Sequence, residues 1–136
     1  MTYIAVLDDD PSTLTTIDTI AAEQNWIIET WSDALALFAS LPERQPDLLV
    51  ADVSPRVPSS TNTYLHDLQE NATIHDVPLV ISSFDQYALL DAQAVLGQQV
   101  RAVLVKPFDA HDFQQCVTAV LLPSEAGSSR VGTSLS

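Results

Sequence analysis

Residues 3–10 read YIAVLDDD, and this stretch decides the fold of the chain. An unbroken apolar run, without the polar alternation of a half-exposed strand, is typical of a β-strand covered on both faces. Three aspartates end the run, and Pro11 then opens a segment in which Leu14, Ile17 and Ile20 recur three residues apart. This spacing predicts a helix with proline in its first turn, capped by Asp10.

The same strand-then-helix unit recurs along the chain. The other predicted strands are Trp26–Ile28, Leu48–Ala51, Pro78–Ile81 and Ala102–Val105. The helices predicted after them contain Ala34–Leu41, Tyr64–Leu68, Tyr87–Val95 and Phe113–Leu121. Five buried strands alternating with five helices predict an α/β fold, in which right-handed crossovers join a parallel sheet that is covered on both sides.

The composition excludes several classes of function. The 136 residues suit one domain, and 18 acidic against 5 basic residues give a net charge of −13. This charge argues against direct binding to nucleic acid or to anionic membranes. A single cysteine, Cys116, excludes an internal disulfide framework and a cysteine-rich zinc site. No apolar run approaches the roughly 20 residues of a membrane helix, and the N-terminus lacks a signal-peptide pattern, so we expect a cytoplasmic domain.

Chemically distinct side chains follow the predicted strands. Asp8–Asp10 end the first, Asp52 the third, Ser82 and Ser83 the fourth, and Lys106 the fifth. Ligands of an open parallel sheet bind outside the carboxyl ends of its strands. Carboxylates from two strands suit Mg²⁺, and a hydroxyl with an ammonium group suits the oxygens of a phosphoryl group. A carboxylate can also accept that group as an acyl phosphate.

These strand ends resemble those of the response-regulator receiver domain of two-component signalling, including the chemotaxis regulators. The resemblance covers residues 2–122 and is carried by the motifs VLDDDP, LLVAD, PLVISS and VLVKPF. The separations also match, because Asp52 stands 43 positions after Asp9 and Lys106 stands 54 positions after Asp52. The resemblance implies a doubly wound (βα)5 flavodoxin-like sandwich of three layers, with a five-stranded parallel sheet in the order 2-1-3-4-5.

The resemblance also implies roles for individual residues. Asp52 would be the phosphoryl acceptor. Asp9 would bind Mg²⁺ directly, Asp8 largely through water, and the Ser54 backbone carbonyl would be a further ligand beside Asp52. Lys106 would pair with Asp52 and later with its phosphate.

The switch hydroxyl has two candidates. Counting five positions from Pro78, as is usual in the family, selects Ser83. The family preference for a small residue after the hydroxyl selects Ser82 instead, because Phe84 follows Ser83. We favour Ser83. The Lys106–Pro107 bond is a candidate cis peptide.

Two features depart from the family pattern. The loop over residues 53–60 lacks the usual Met-Pro and Gly, so we expect it to take another shape. Val103 stands where an aromatic switch residue is common, so an aromatic rotamer change cannot report phosphorylation. Any output must therefore use the switch hydroxyl and the loop that follows it. Residues 1–122 are predicted to form the receiver domain. Residues 123–136, rich in serine and glycine, are predicted to be a disordered tail or linker.

The expected function is a signalling domain and not an enzyme in the usual sense. A histidine kinase or a histidine phosphotransfer protein would phosphorylate it, and a downstream protein would read it. Because basic residues other than Arg101 are scarce at the output face, we expect a monomer or weak homodimer. One alternative is a degenerate receiver that binds partners without phosphorylation. Another is a haloacid-dehalogenase-like phosphatase, with Asp8 as nucleophile and Asp10 as acid/base, although that chemistry leaves Asp52 without a role.

Overall fold

A computed structural model describes residues 2–54 and 61–122, with the side chains of residues 61 and 62 excepted. The predictions for most of the loop over residues 53–60 and for the tail over residues 123–136 lie outside these described residues. The predicted receiver domain over residues 1–122 is covered except for those gaps.

Five strands and five helices alternate through the described chain. The strands are β1 (Tyr3–Leu7), β2 (Ile27–Trp31), β3 (Leu48–Asp52), β4 (Leu79–Ser83) and β5 (Val100–Val105). The helices are α1 (Pro11–Gln24), α2 (Ala34–Ser40), α3 (Thr61–His75), α4 (Gln86–Leu96) and α5 (Ala110–Leu121). Every strand pair is parallel and the order is β2-β1-β3-β4-β5. The predicted fold class and strand order are confirmed.

The prediction that all five strands are buried was wrong. Only β1, β3 and β4 are buried throughout, whereas β2 and β5 form the two edges of the sheet. Ile27 in β2 is 38% exposed and Val105 in β5 is 50% exposed. An edge strand has a neighbour on one side only, so the helices above and below cover it less completely. An apolar run predicts a strand but does not predict its place in the sheet.

Two apolar layers cover the sheet. On one face α2, α3 and α4 pack with side chains such as Leu37, Leu68 and Leu96. On the other face α1 and α5 pack with Ile17 and Phe113. This arrangement leaves the carboxyl ends of the central strands at one edge of the sandwich, which is where an open α/β sheet binds its ligands.

Aspartates begin four of the described helices. The side chains of Asp10, Asp33, Asp85 and Asp109 each accept a hydrogen bond from a backbone N–H two or three residues ahead. Such caps satisfy N–H groups that have no partner within the helix. The predicted cap at Asp10 is confirmed, and Asp33 is the cap of α2. Several acidic residues therefore have a structural role in starting the helices that follow the strands.

Candidate functional site

The four strand ends singled out in the sequence meet at the carboxyl edge of the sheet. Asp8 directly follows β1, Asp52 ends β3, Ser83 ends β4 and Lys106 directly follows β5. The order of the strands reverses between β1 and β3, because the chain leaves β1 toward β2 on one side and returns to β3 on the other. The acidic residues therefore lie at the topological switch point of the sheet.

Three carboxylates form a compact cluster at this point. Oxygen atoms of Asp8, Asp9 and Asp52 lie within 4.8 Å of one another. Asp8 and Asp52 are buried, whereas Asp9 is exposed, so the cluster has one side open to solvent. Carboxylate oxygens are the donors that Mg²⁺ prefers, and an ion there would offset the repulsion between like charges. This set of donors fits Mg²⁺.

Lys106 places an ammonium group inside the acidic cluster. Its Nζ lies 2.8 Å from Asp8 Oδ2 and 3.3 Å from Asp52 Oδ2. Lys106 is only 4% exposed, so this is a buried cation between two buried carboxylates. The Lys106 N–H donates to the Ser83 carbonyl at 3.0 Å, and the Lys106–Pro107 bond is cis, as predicted.

The buried position of Asp8 shifts the pKa of its carboxyl. Burial raises the pKa of this carboxyl above its ordinary value, and the nearby Asp52 charge raises it further. Hydrogen bonds from Lys106 and from the Asp10 N–H oppose the rise without cancelling it. Ionisation of Asp8 in the metal-free protein is therefore less favourable than that of an ordinary aspartate. A bound cation would shift this balance toward the carboxylate.

Each oxygen of the Asp52 carboxylate has a hydrogen-bonding or charged partner. Oδ1 accepts a hydrogen bond from the Ser54 N–H at 2.9 Å, and Oδ2 faces Lys106. The Tyr64 hydroxyl, from α3, donates to the Asp52 backbone carbonyl at 2.8 Å. Sequence reasoning missed this contact, because nothing in the helical spacing of Tyr64 distinguishes it from a packing residue. The Asp52 side chain thus leaves the strand in a defined orientation.

The two candidate switch hydroxyls alternate along β4 and so point to opposite faces of the sheet. Ser83 Oγ lies 2.9 Å from Ser54 Oγ and accepts a hydrogen bond from the Asp85 N–H, also at 2.9 Å. Ser82 is the register partner of Asp52 on the neighbouring strand. Its hydroxyl is buried and has no hydrogen-bond partner among the described residues. The switch role of Ser83 stays a prediction, as does the Ser54 carbonyl as a metal ligand.

Only one of these two hydroxyls is hydrogen-bonded among the described residues, so removing them should change stability in opposite directions. Ser82→Ala should raise the free energy of unfolding by about 1 kcal/mol, because a buried hydroxyl without a partner is costly. Ser83→Ala should lower it by about 1–2 kcal/mol, because the Asp85 N–H then loses its partner. Urea unfolding of both variants beside the wild type measures the two changes. A Ser82→Ala protein less stable than the wild type contradicts this prediction.

Phe84 stands beside the site at the position where the family prefers a small residue. Its ring centroid lies 5.3 Å from Lys106 Nζ, and 56% of the residue is exposed. Val103, in place of the common aromatic residue, is partly buried against the layer formed by α2, α3 and α4. Phe84 therefore lies beside Lys106, and Val103 lies on the strand that leads to Lys106.

The curated proteins that resemble this chain include a sensor histidine kinase, and the match covers most of the chain. No family model matches. The sensor histidine kinase TmoS of Ectopseudomonas mendocina is 27% identical over 126 residues, which are 91% of this chain. The matched region is only 12% of that kinase, so the chain spans a small part of its length.

Solved structures match the fold over nearly their whole length. A response regulator receiver protein from Burkholderia phymatum is 25% identical, with 89% of this chain and 95% of that chain covered and a TM-score of 0.69. The receiver domain of the sensor histidine kinase PA1611 from Pseudomonas aeruginosa PAO1 is 20% identical, with 87% and 95% covered and a TM-score of 0.61. The latter structure holds a magnesium ion coordinated in its active site cleft.

The chain therefore has the fold of response regulator receiver domains, and the resemblance inferred from its strand ends is confirmed. A compact acidic cluster compatible with Mg²⁺ lies at the switch point of that fold. Among the described helices, none combines the length and the apolar character that a membrane crossing requires.

Proposed function

We propose that this protein is a phospho-accepting receiver domain that takes a phosphoryl group onto Asp52 and switches conformation in response. One observation carries the proposal: the Asp52 carboxylate is buried and held between the Lys106 ammonium and the Ser54 N–H, beside two further acids. A carboxylate that served only as a turn residue would not need a buried cation and two neighbouring carboxylates.

The proposed reaction is an in-line phosphoryl transfer. An Asp52 carboxylate oxygen bonds to the phosphorus atom while the bond from phosphorus to the donor breaks, and the leaving group keeps that electron pair. With a phosphohistidine donor the leaving group is an imidazole, and the product on this chain is an acyl phosphate. Lys106 lies close enough to neutralise charge that develops on the phosphoryl oxygens.

Asp8, Asp9 and Asp52 would hold Mg²⁺ for this reaction, together with the Ser54 backbone carbonyl. When bound, the ion supplies positive charge that neutralises the acids and the incoming phosphoryl oxygens. The donor set of three clustered carboxylates supports this assignment.

The proposed partners are a histidine kinase or a histidine phosphotransfer protein as the phosphoryl source, and a downstream protein that reads the switch. Similarity to a segment of a sensor histidine kinase supports a place in two-component signalling. Ser83 would move toward the phosphorylated Asp52 and change the surface formed by α4, β5 and α5. The cytoplasm, where such kinases find their phosphoryl donors, is the proposed location.

The phosphatase alternative is less well supported. Its acid/base would be Asp10, but that side chain accepts hydrogen bonds from the Thr13 N–H, the Thr13 hydroxyl and the Ser12 hydroxyl. These bonds, led by the one from the Thr13 side chain, lower the pKa of the Asp10 carboxyl below its ordinary value. A general acid needs a pKa near the working pH, so a lowered pKa disfavours this role.

Intact mass tests the proposal directly. The protein is incubated with Mg²⁺ and acetyl phosphate beside Asp52→Asn and a sample without metal. We expect one added phosphoryl group in the wild type and none in either control, because the variant lacks the accepting oxygen and the second sample lacks the cation.

A wild type without the adduct calls for beryllofluoride, a phosphoryl mimic, in the same buffer, since rapid hydrolysis can hide an acyl phosphate. Binding of the mimic to the wild type and not to Asp52→Asn keeps the proposal. Failure of both measurements overturns it and favours a receiver that binds its partners without phosphorylation. An adduct that persists in Asp52→Asn places the acceptor elsewhere.

A further inference from the structure

Ser54 connects the acceptor carboxylate to the Ser83 hydroxyl. The Ser54 N–H donates to Asp52 Oδ1 at 2.9 Å, while Ser54 Oγ lies 2.9 Å from Ser83 Oγ. The Ser83 hydroxyl also accepts a hydrogen bond from the Asp85 N–H. One residue thus contacts both groups that the proposed reaction has to bring together.

We propose that the Ser54 hydroxyl is a latch that holds the Ser83 proton in the unphosphorylated protein and competes for it with the phosphoryl group on Asp52. This inference rests on the proposed function and adds a regulatory residue to it. Ser54 acts here through its side chain and as a positioning residue, separately from the role proposed for its backbone carbonyl.

The direction of the hydrogen bond between the two serines follows from burial. Ser83 is 0% exposed, and its oxygen already accepts from the Asp85 N–H. A buried O–H without an acceptor is costly, and Ser54 Oγ is the acceptor within hydrogen-bond distance among the described residues. We therefore assign the shared proton to Ser83, which donates it to Ser54 Oγ. A serine hydroxyl has one proton, so Ser83 cannot donate to Ser54 and to a phosphoryl oxygen at once through full-strength bonds.

Phosphorylation of Asp52 would turn the Ser83 hydroxyl from Ser54 Oγ toward a phosphoryl oxygen. Phosphoryl oxygens on an acyl phosphate are charged acceptors, and hydrogen bonds to charged acceptors are stronger than those between neutral groups. Ser83 would therefore release Ser54 when Asp52 is phosphorylated. Ser54 is only partly buried, so its released hydroxyl can be solvated. The latch therefore opposes switching by the free energy of one hydrogen bond between neutral groups. The stronger hydrogen bond to the phosphoryl group can replace it.

Removal of the latch should favour the switched state. Ser54→Ala keeps the backbone carbonyl and N–H but removes the competing hydroxyl, so the protein should bind beryllofluoride about three- to tenfold more tightly in the presence of Mg²⁺. Ser54→Thr retains a hydroxyl and should bind as the wild type does. In a Ser83→Ala background, Ser54→Ala should have no effect, because no proton remains to compete for.

The test is a calorimetric titration of Mg²⁺-loaded protein with beryllofluoride for the wild type, Ser54→Ala, Ser54→Thr, Ser83→Ala and the double variant. The latch is supported if Ser54→Ala binds beryllofluoride more tightly than the wild type and Ser54→Thr binds it with wild-type affinity. The double variant should then bind no more tightly than Ser83→Ala. The latch is overturned if Ser54→Ala has the wild-type affinity, or if Ser54→Ala raises the affinity equally in the wild-type and Ser83→Ala backgrounds. Either result leaves the proposed function intact. A wild type that does not bind beryllofluoride overturns the latch, and one that also forms no phosphoryl adduct overturns the proposed function.

Discussion

Replacing Lys106 by methionine is expected to lower the free energy of unfolding by about 3 kcal/mol in metal-free buffer. Methionine keeps most of the side-chain volume and removes the ammonium group, with its charge and its N–H donors. The Asp8 and Asp52 carboxylates, which lie 2.8 and 3.3 Å from Nζ, then remain buried without their shared cation. Removing one partner of a buried ion pair costs far more than the pair itself contributes, because the remaining charge is uncompensated.

Urea unfolding of Lys106→Met beside Arg101→Met measures this effect. Arg101 is an exposed cation on β5, the strand that leads to Lys106, and its loss should change stability by less than about 0.5 kcal/mol. Saturating Mg²⁺ should restore part of the loss in Lys106→Met, since the ion supplies positive charge to the same oxygens. Equal stability of the two variants without metal would mean that Lys106 does not compensate the buried carboxylates.

Replacing Asp8 by asparagine is expected to have the opposite effect on the metal-free protein. The pKa of Asp8 is raised chiefly by burial, so ionising this carboxyl costs more free energy in the folded protein than in the unfolded chain. Asparagine removes that charge and leaves Lys106 paired with Asp52, so the free energy of unfolding should rise. Mg²⁺ affinity should fall about 10- to 100-fold, because a residue that orients the metal site is lost.

The pH dependence of the free energy of unfolding tests the same prediction in a second way. A carboxyl whose pKa is raised on folding stabilises the folded state in acid, below its unfolded pKa. This contribution is lost as the pH rises through the raised folded pKa. In metal-free buffer, the wild type should therefore lose this contribution with rising pH, and Asp8→Asn should lack that component of the curve.

Asp18→Asn is the matched control, because Asp18 is an exposed acid on α1 away from the cluster. It should leave Mg²⁺ affinity unchanged and stability nearly so. Thermal unfolding with and without Mg²⁺, repeated across the acid range, separates the two variants. An Asp8→Asn protein that is less stable than the wild type without metal, or that binds Mg²⁺ as tightly, contradicts the prediction.

Much of the fold could be predicted because its signals are local. The run YIAVL marked the bounds of β1, and proline after three aspartates marked the start of α1. The ends of the other strands were less well predicted, and β2 extends to Trp31, beyond the apolar run. Polar residues such as Glu29 and Thr30 can continue an edge strand, since that strand is only partly covered.

The residues of the candidate site could be predicted from the sequence, but several of the contacts between them could not. The sequence placed Asp8, Asp52 and Lys106 after strands of a parallel sheet, and the structure brings them together. Nothing in the sequence indicated that the Tyr64 hydroxyl reaches the Asp52 carbonyl, or that Ser54 contacts Ser83. Those contacts join residues that are 12 and 29 positions apart, so they depend on how distant segments pack.

The sequence by itself determined the alternation of strands and helices and the chemistry at the strand ends. Both are properties of a few consecutive residues, whose apolar spacing and caps select one local conformation. The tertiary structure alone decided which strands lie at the edges and which partner each hydroxyl of Ser82 and Ser83 meets. The physical reason is that strand order and register are set by packing between distant segments, and a shift of one residue turns a side chain to the opposite face of the sheet.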